Sequence, residues 1–260
     1  MFIVSALRPR VLVELGVYRG FSYFVFCQAV KKLGLNTKCY GLDMWEGDSQ
    51  AGAVTPEDLA KIKGHHDPLY GSFSEMVRST FDGGLNYFAD GSVDLLHIDG
   101  FHSYEAVRHD FEMWLPKMSR HGVILFHDVN VRQNDFGVWK FWEEVSVKYK
   151  HLTFLHGHGL GVLAVGSEYP EDVQRLFESD ETEIVVIREF FHQFGARIEA
   201  VQRFGFQCEE FALLKSYETT VRKSRVMRAF RVLELEGIGG VVKRIRSAYM
   251  KHENNATGHS

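Results

Sequence analysis

The stretch Leu95-Leu96-His97-Ile98-Asp99-Gly100-Phe101-His102-Ser103-Tyr104 constrains this chain more than any other. Leu95, Leu96 and Ile98 make an apolar run of strand length, without the alternation that a half-wet strand shows. Strands of that kind lie in parallel sheets covered by helices on both faces. Asp99 closes the run, and in open α/β sheets ligands bind outside the carboxyl ends of the strands. Gly100 admits close approach of backbone or ligand. Ser103 is a suitable N-cap for the helix that opens at Glu105. An acid and a histidine three residues apart at a strand end form a candidate catalytic centre.

The flanking chain repeats the pattern. Arg10 to Gly16 reads as a first buried strand, followed by the turn Val17-Tyr18-Arg19-Gly20-Phe21-Ser22 and an apolar helix from Tyr23 to Lys32. Thr37 to Asp43 is a second strand ending in an acid 27 residues after Gly16, which suits a carboxylate that binds ribose hydroxyls. Met44 to Gly71 is a polar insertion with one short helix predicted at Pro56 to Lys63; long loops at strand ends often serve as lids. Ser72 to Ser79 reads as a weak third strand and Phe81 to Ala89 as a helix. Gly122 to Asp128 is another buried strand. Asp135 to Lys150 carries an amphipathic aromatic helix, whose Trp139, Phe141 and Trp142 suit packing. His151 to Leu155 and Gly161 to Val165 are strands joined by His156-Gly157-His158-Gly159, which places two histidines on the same rim as candidate substrate contacts. From Ser167 the pattern is helical, amphipathic from Ile184 to Tyr217 and basic from Val221 to Lys251. The polar tail, His252 to Ser260, is expected to be disordered.

Composition narrows the class. The chain is 45% hydrophobic with a net charge of −4, which fits a globular domain and gives no reason to expect nucleic acid. Cys27, Cys39 and Cys208 have no metal-type spacing and no even disulfide framework, so a reducing cytoplasm is the default. No stretch reads as a secretory leader or approaches the ~20 apolar residues of a membrane span.

Glu14-x-Gly16-x-x-x-Gly20-x-Ser22 departs from the dinucleotide fingerprint, because Tyr18 occupies its second glycine position. That disfavours a nicotinamide oxidoreductase. An acid ahead of a wider glycine spacing suits a nucleoside with an amino-acid tail, whose ammonium Glu14 meets through ordered water or backbone. Asp99 is a candidate metal ligand or cofactor contact. His102 is a candidate general base, since an ordinary imidazole titrates near neutral pH. With Asp99, Asp128 at the next strand end makes an oxygen-rich site for a Mg²⁺-type ion, which acts as a Lewis acid on a substrate hydroxyl.

The segments VELGVYRGFSYFVFCQAV, GLDMWEGDSQAG, DLLHIDGFHSYEAVRHDFEMWLPK, GVILFHDVNV, DFGVWKFWEE and HGHGLGVLAVG resemble a bacterial family of class I S-adenosylmethionine-dependent methyltransferases. Its members often stand beside, or fused to, glycosyltransferases of surface-polysaccharide synthesis. The resemblance covers about Arg10 to Gly166. It implies a Rossmann-like, doubly wound α/β sheet of seven strands with the last antiparallel. It implies that Glu14, Gly16, Gly20 and Ser22 surround the methionine part of the cofactor and that Asp43 binds its ribose. The chain is more distantly similar to Mg²⁺-dependent sugar O-methyltransferases, whose metal is held by an acid matching Asp99 and an acidic pair matching His127 and Asp128. Here His127 replaces a carboxylate. The base of those enzymes matches His102 or a nearby acid. This chain also enters its first strand without the helical lid that many methyltransferases carry, which leaves the Trp45 to Gly71 loop or a partner subunit to cover the cofactor.

These readings predict a methyltransferase domain over residues 1–167, a helical extension with a basic end over 168–251, and a tail over 252–260. The expected reaction is O-methylation of a sugar hydroxyl in glycan or polysaccharide biosynthesis, using S-adenosylmethionine with Mg²⁺ or another divalent cation. Asp99 and His102 are the catalytic pair and Asp99, His127 and Asp128 the metal ligands; Asp99 also belongs to the cofactor set. The alternative is a non-catalytic, cofactor-binding scaffold of a polysaccharide assembly complex. Expected partners are a small-molecule or glycan substrate, a glycosyltransferase, and a second copy of the chain through the C-terminal helices. The expected location is the cytoplasm, with the basic end at the inner face of the membrane.

Overall fold

The computed structural model describes residues 2–207, apart from 49, 51 and 134. Cys208, the last part of the amphipathic stretch, the basic end from Val221 to Lys251 and the tail from His252 lie outside the described residues.

The chain divides after Val173. The first unit is a seven-stranded sheet. Its strands are β1 (Val11–Leu15), β2 (Lys38–Asp43), β3 (Ser74–Arg78), β4 (Val93–Ile98), β5 (Met118–His127), β6 (Lys150–Phe154) and β7 (Leu160–Ala164), in the spatial order β3-β2-β1-β4-β5-β7-β6. Neighbours from β3 to β5 pair in parallel, and β7 runs antiparallel to both β5 and β6. This is the Rossmann-like sheet, last strand antiparallel, that the sequence led one to expect. The strand order reverses between β1 and β4, so a crevice opens at their carboxyl ends. Every residue of β4 is buried, as its uninterrupted apolar run requires.

Helices α1 (Phe2–Leu7), α2 (Phe21–Leu33), α3 (Pro56–Tyr70), α4 (Phe81–Gly84), α5 (Tyr104–Trp114) and α6 (Val138–Ser146) belong to this unit. Phe111 and Trp114 of α5 and Phe141 and Trp142 of α6 pack with Leu96, Ile98, Ile124 and Phe126 of the sheet. Phe141 and Trp142 are therefore core residues. Trp139 is half-buried, with the Arg132 guanidinium 4.3 Å from its ring centre.

Several boundaries differ from the sequence reading. Helix α3 runs far beyond Lys63. Thr55 and Asp58 close a capping box at its start, and Ile62, His66 and Tyr70 form a buried stripe at a spacing of four. That stripe meets Tyr23 and Phe24 of α2. Burial of one face thus carries the helix through Pro68 in its last turn, and much of the presumed loop is helix. The expected helix from Phe81 to Ala89 breaks at Gly84 into α4 and a 3-10 turn, Leu85–Tyr87. Strand β4 begins at Val93 rather than Leu95. Asp94 fits inside it because its carboxylate accepts hydrogen bonds from the Arg10 amide (2.7 Å) and the Ser119 hydroxyl (2.5 Å). The chain before β1, featureless in sequence, forms α1.

At the division lies α7 (Glu171–Phe177), and the second unit contains α8 (Glu181–Gln207), started by reciprocal hydrogen bonds between Asp180 and Glu183. Among the described residues no helix is long and apolar enough to cross a membrane.

Candidate active site

The turn after β1 is shaped by its backbone. Gly16 (φ +89°), Tyr18 (φ +48°) and Gly20 (φ +86°) take left-handed conformations. A Cβ on Gly16 would lie 1.9 Å from the Asp99 carbonyl oxygen, so only glycine lets β1 and β4 end side by side. Asp43 anchors the turn from β2. Its Oδ2 accepts hydrogen bonds from the amides of Val17 (2.9 Å) and Tyr18 (2.7 Å), and its Oδ1 accepts one from Trp45 (2.6 Å). The Trp45 indole in turn donates to the Tyr18 carbonyl (3.1 Å), which fixes the start of the insertion over the turn.

Glu14 is fully buried beneath this turn. Ser22 donates to its Oε1 (2.7 Å), and His97 Nδ1 lies 3.2 Å from its Oε2. Burial pushes its carboxyl above the ordinary range, and contacts with His97 and Ser22 offset only part of that rise.

A cavity of about 640 Å³ opens above. Its lining includes Gly16, Tyr18, Ser22, Asp43, Met44, Ser79, Thr80, Phe81, Asp99, Phe101, His102 and His127. Of the residues predicted to hold a cofactor, Gly16, Ser22, Asp43 and Asp99 line it; Glu14 and Gly20 stand behind the wall. Asp128 is likewise set back. Tyr18, Ser79, Thr80 and Phe81 are wall residues that the sequence reading did not single out. Ser79 to Phe81 follow β3 as the glycine turn follows β1, so the strand-end rule would have found them had β3 carried a stronger pattern.

Across the crevice the wall is ionic. Asp99 Oδ1 lies 3.3 Å from His102 Nε2 and 3.1 Å from His127 Nδ1. Asp128, in a left-handed conformation (φ +60°), approaches both rings from its own side: Oδ2 is 3.4 Å from His102 Nε2 and Oδ1 is 2.8 Å from His127 Nδ1. The latter two atoms are close but misaligned, and each stays without a hydrogen-bond partner. The Gln50 carbonyl oxygen lies 3.0 Å from His102 Nδ1 and also accepts from the His102 amide (3.1 Å). A carbonyl only accepts, so His102 Nδ1 carries a proton and Nε2 turns toward the carboxylates. Phe136 stacks on the His102 ring at 4.7 Å. His158 reaches Asp128 Oδ1 at 3.4 Å, whereas His156 packs edge-on to Phe154.

Charge follows from this packing. Burial would raise the Asp99 carboxyl, but the imidazoles of His102 and His127 beside it outweigh that and hold the group below the usual carboxylate range. Burial would lower His127, but Asp128 and Asp99 beside its ring push it up to about 10. The donor atoms of Asp99, His102 and His127 all lie within 4.8 Å of one another, which suits a metal ion as well as a proton relay. The orphaned atoms of His127 and Asp128 strengthen the fit to a cation.

Residues 13–129 match a family described as a methyltransferase domain. The chain is also 47% identical over 176 residues to the uncharacterized protein y4gI of Sinorhizobium fredii (strain NBRC 101917 / NGR234), an alignment covering 68% of this chain and 19% of that protein. The chain thus spans about a fifth of that relative's length. Among solved structures it is similar to a putative caffeoyl-CoA O-methyltransferase from Staphylococcus aureus (12% identity, 60% of this chain, 76% of that one, TM-score 0.48). It is similar too to the SAH-bound methyltransferase PaMTH1 of Podospora anserina (15% identity, 60% and 72%, TM-score 0.45).

Proposed function

We propose that this chain transfers a methyl group from S-adenosylmethionine to a hydroxyl, and that the acceptor is a sugar in glycan or polysaccharide biosynthesis. The observation that carries the reading is the position of Asp99: its main chain abuts the glycine turn, and its side chain touches His102 and His127. One residue thus joins a nucleoside-sized cavity to a cluster able to take a proton.

In this scheme the methionine end of the cofactor lies at Gly16, Gly20 and Ser22. Glu14, buried behind them, acts on its ammonium through backbone or water. Asp43 binds the ribose. A carboxylate offers about four lone-pair sites, and three amides already use three of those on Asp43, leaving one for a hydroxyl. His102 Nε2 removes the acceptor proton, with the opposite nitrogen held by Gln50. Displacement at the methyl group is then driven by placement and by the cofactor's sulfonium. Asp99, His127 and Asp128 would hold a divalent cation, which when bound supplies Lewis acidity toward the acceptor oxygen. Residues 1–167 would form the catalytic unit, and 168–251 an extension that pairs copies or meets a glycosyltransferase at the cytoplasmic face of the membrane.

The test is transfer of labelled methyl to a panel of free and nucleotide-linked sugars by the wild type and by His102→Ala. The wild type should methylate a sugar. The variant should lose about 10²–10⁴-fold in turnover, as for removal of a general base, while keeping its cofactor affinity. Equal loss of turnover and of cofactor binding would overturn the role of His102, and transfer only to acceptors other than sugars would overturn the acceptor class.

A further inference from the structure

We propose that the ion held at Asp99, His127 and Asp128 is a first-row transition metal, and that the site discriminates against Mg²⁺. This rests on the reading above and deepens it.

Asp128 is a carboxylate only 5% exposed, with Oδ1 unpartnered. That orphan faces a second one, His127 Nδ1, at 2.8 Å, and the same nitrogen lies 3.1 Å from Asp99 Oδ1. With the His127 ring neutral and its Nδ1 lone pair turned to Asp128, two lone pairs face each other without a hydrogen bond, which is costly unless a cation satisfies both. The two spacings from His127 Nδ1 suit a small ion. Ligands at about 2.0–2.2 Å from a metal and at right angles stand about 3 Å apart, whereas the 2.3–2.6 Å bonds of Ca²⁺ would spread them further. Asp128 holds its place with a left-handed backbone, the kind of local strain found at ligand clamps.

Donor chemistry then selects among small ions. Mg²⁺ takes oxygen ligands and keeps its water, while Mn²⁺, Fe²⁺, Co²⁺ and Zn²⁺ accept imidazole readily. His127 gives the site one nitrogen at its centre. His102 Nε2, 3.3 and 3.4 Å from the two carboxylates and aimed there by Gln50, borders it with a second. Neither nitrogen favours Mg²⁺.

The experiment is calorimetric titration of the full chain, freed of metal by a chelator, with Co²⁺ and with Mg²⁺. The visible absorption of bound Co²⁺ is recorded in parallel, for the wild type and for His127→Asp. The wild type should bind Co²⁺ with d–d bands shifted from those of the aqueous ion, and bind Mg²⁺ at least about tenfold more weakly. His127→Asp should bind Mg²⁺ more tightly than the wild type and narrow that ratio by about tenfold. Mg²⁺ binding as tight as Co²⁺ binding to the wild type, an unchanged ratio in His127→Asp, or no Co²⁺ binding would each overturn the proposal. Titration of S-adenosylmethionine into both proteins separates the readings: wild type that binds the ion but not the cofactor contradicts the methyltransfer reading alone, and the reverse contradicts the metal alone. The wild-type comparison stands even if the variant does not fold.

Discussion

At the carboxyl ends of β1 and β2 the crevice wall is main chain, held in place by the carboxylate of Asp43 and by glycines whose backbone no other residue adopts easily. At the ends of β4 and β5 the wall is side chain, two carboxylates and two imidazoles, with one nitrogen of each ring within 3.4 Å of both acids. The first kind of wall offers fixed dipoles to a ligand with many polar groups. The second can gain or lose a proton or hold an ion. In the proposed reading a binding surface and a reacting surface are built by different means on neighbouring strands, and Gly16 against Asp99 is the joint between them.

Gly16→Ala should break both halves at once. The new Cβ meets the Asp99 carbonyl at 1.9 Å, and that neighbour is backbone that has no free direction to move. Strain at a left-handed position and overpacking should together cost about 2–6 kcal/mol, measured by urea unfolding, with cofactor binding lost. Wild-type stability would show that the halves are not joined there.

Asp110 sharpens the comparison from below. A Cβ on Gly100 would sit 3.4 Å from its Oδ2, so its carboxyl underlies the loop connecting the two walls. Burial, aided by the charge of Asp82, pushes this carboxyl up to about 7, against a smaller opposing effect of His109. Because the folded value is above the unfolded one, the stabilising contribution of the neutral form is complete below the ordinary carboxylate range and lost as pH rises through about 7. Asp110→Asn should therefore stabilise the protein by about 2–4 kcal/mol at pH ~9, with the gain fading toward pH ~4. A gain independent of pH would mean that Asp110 is not titrating in this way.

Ser22→Ala should give the smallest effect. It removes the 2.7 Å hydrogen bond to Glu14 and should cost about 1–2 kcal/mol by denaturation, leaving the acceptor side intact. A loss of turnover with cofactor affinity unchanged would place Ser22 on the reacting side instead.

The same contrast explains what could be read from the sequence. Main-chain sites announce themselves through glycine and acid spacing, so Gly16, Asp43 and the sheet were legible. The central strand and the Ser103 cap were legible too; Ser103 Oγ accepts from the Ala106 amide at 3.2 Å. At the other wall the residue types were visible but their contacts were not. Nothing in one dimension shows that Gln50 meets His102, or that His127 shares an oxygen of Asp99 with it. Glu14 was read as meeting an ammonium through water or backbone, and its full burial against Ser22 and His97 is a contact that the spacing alone does not show. The helix that starts at Pro56 was expected to end at Lys63, and its run to Tyr70 was not legible because the stripe of Ile62, His66 and Tyr70 includes a histidine, which apolar periodicity does not count.

In the proposed function the crevice binds S-adenosylmethionine on its main-chain wall. Calorimetric titration of that cofactor into the wild type and into Asp43→Ala tests it most directly. Saturable one-site binding to the wild type is expected, with a loss of about tenfold to hundredfold or more in the variant, because the charged anchor of three amides is gone. Equal binding by both proteins, or no binding by the wild type, would contradict it.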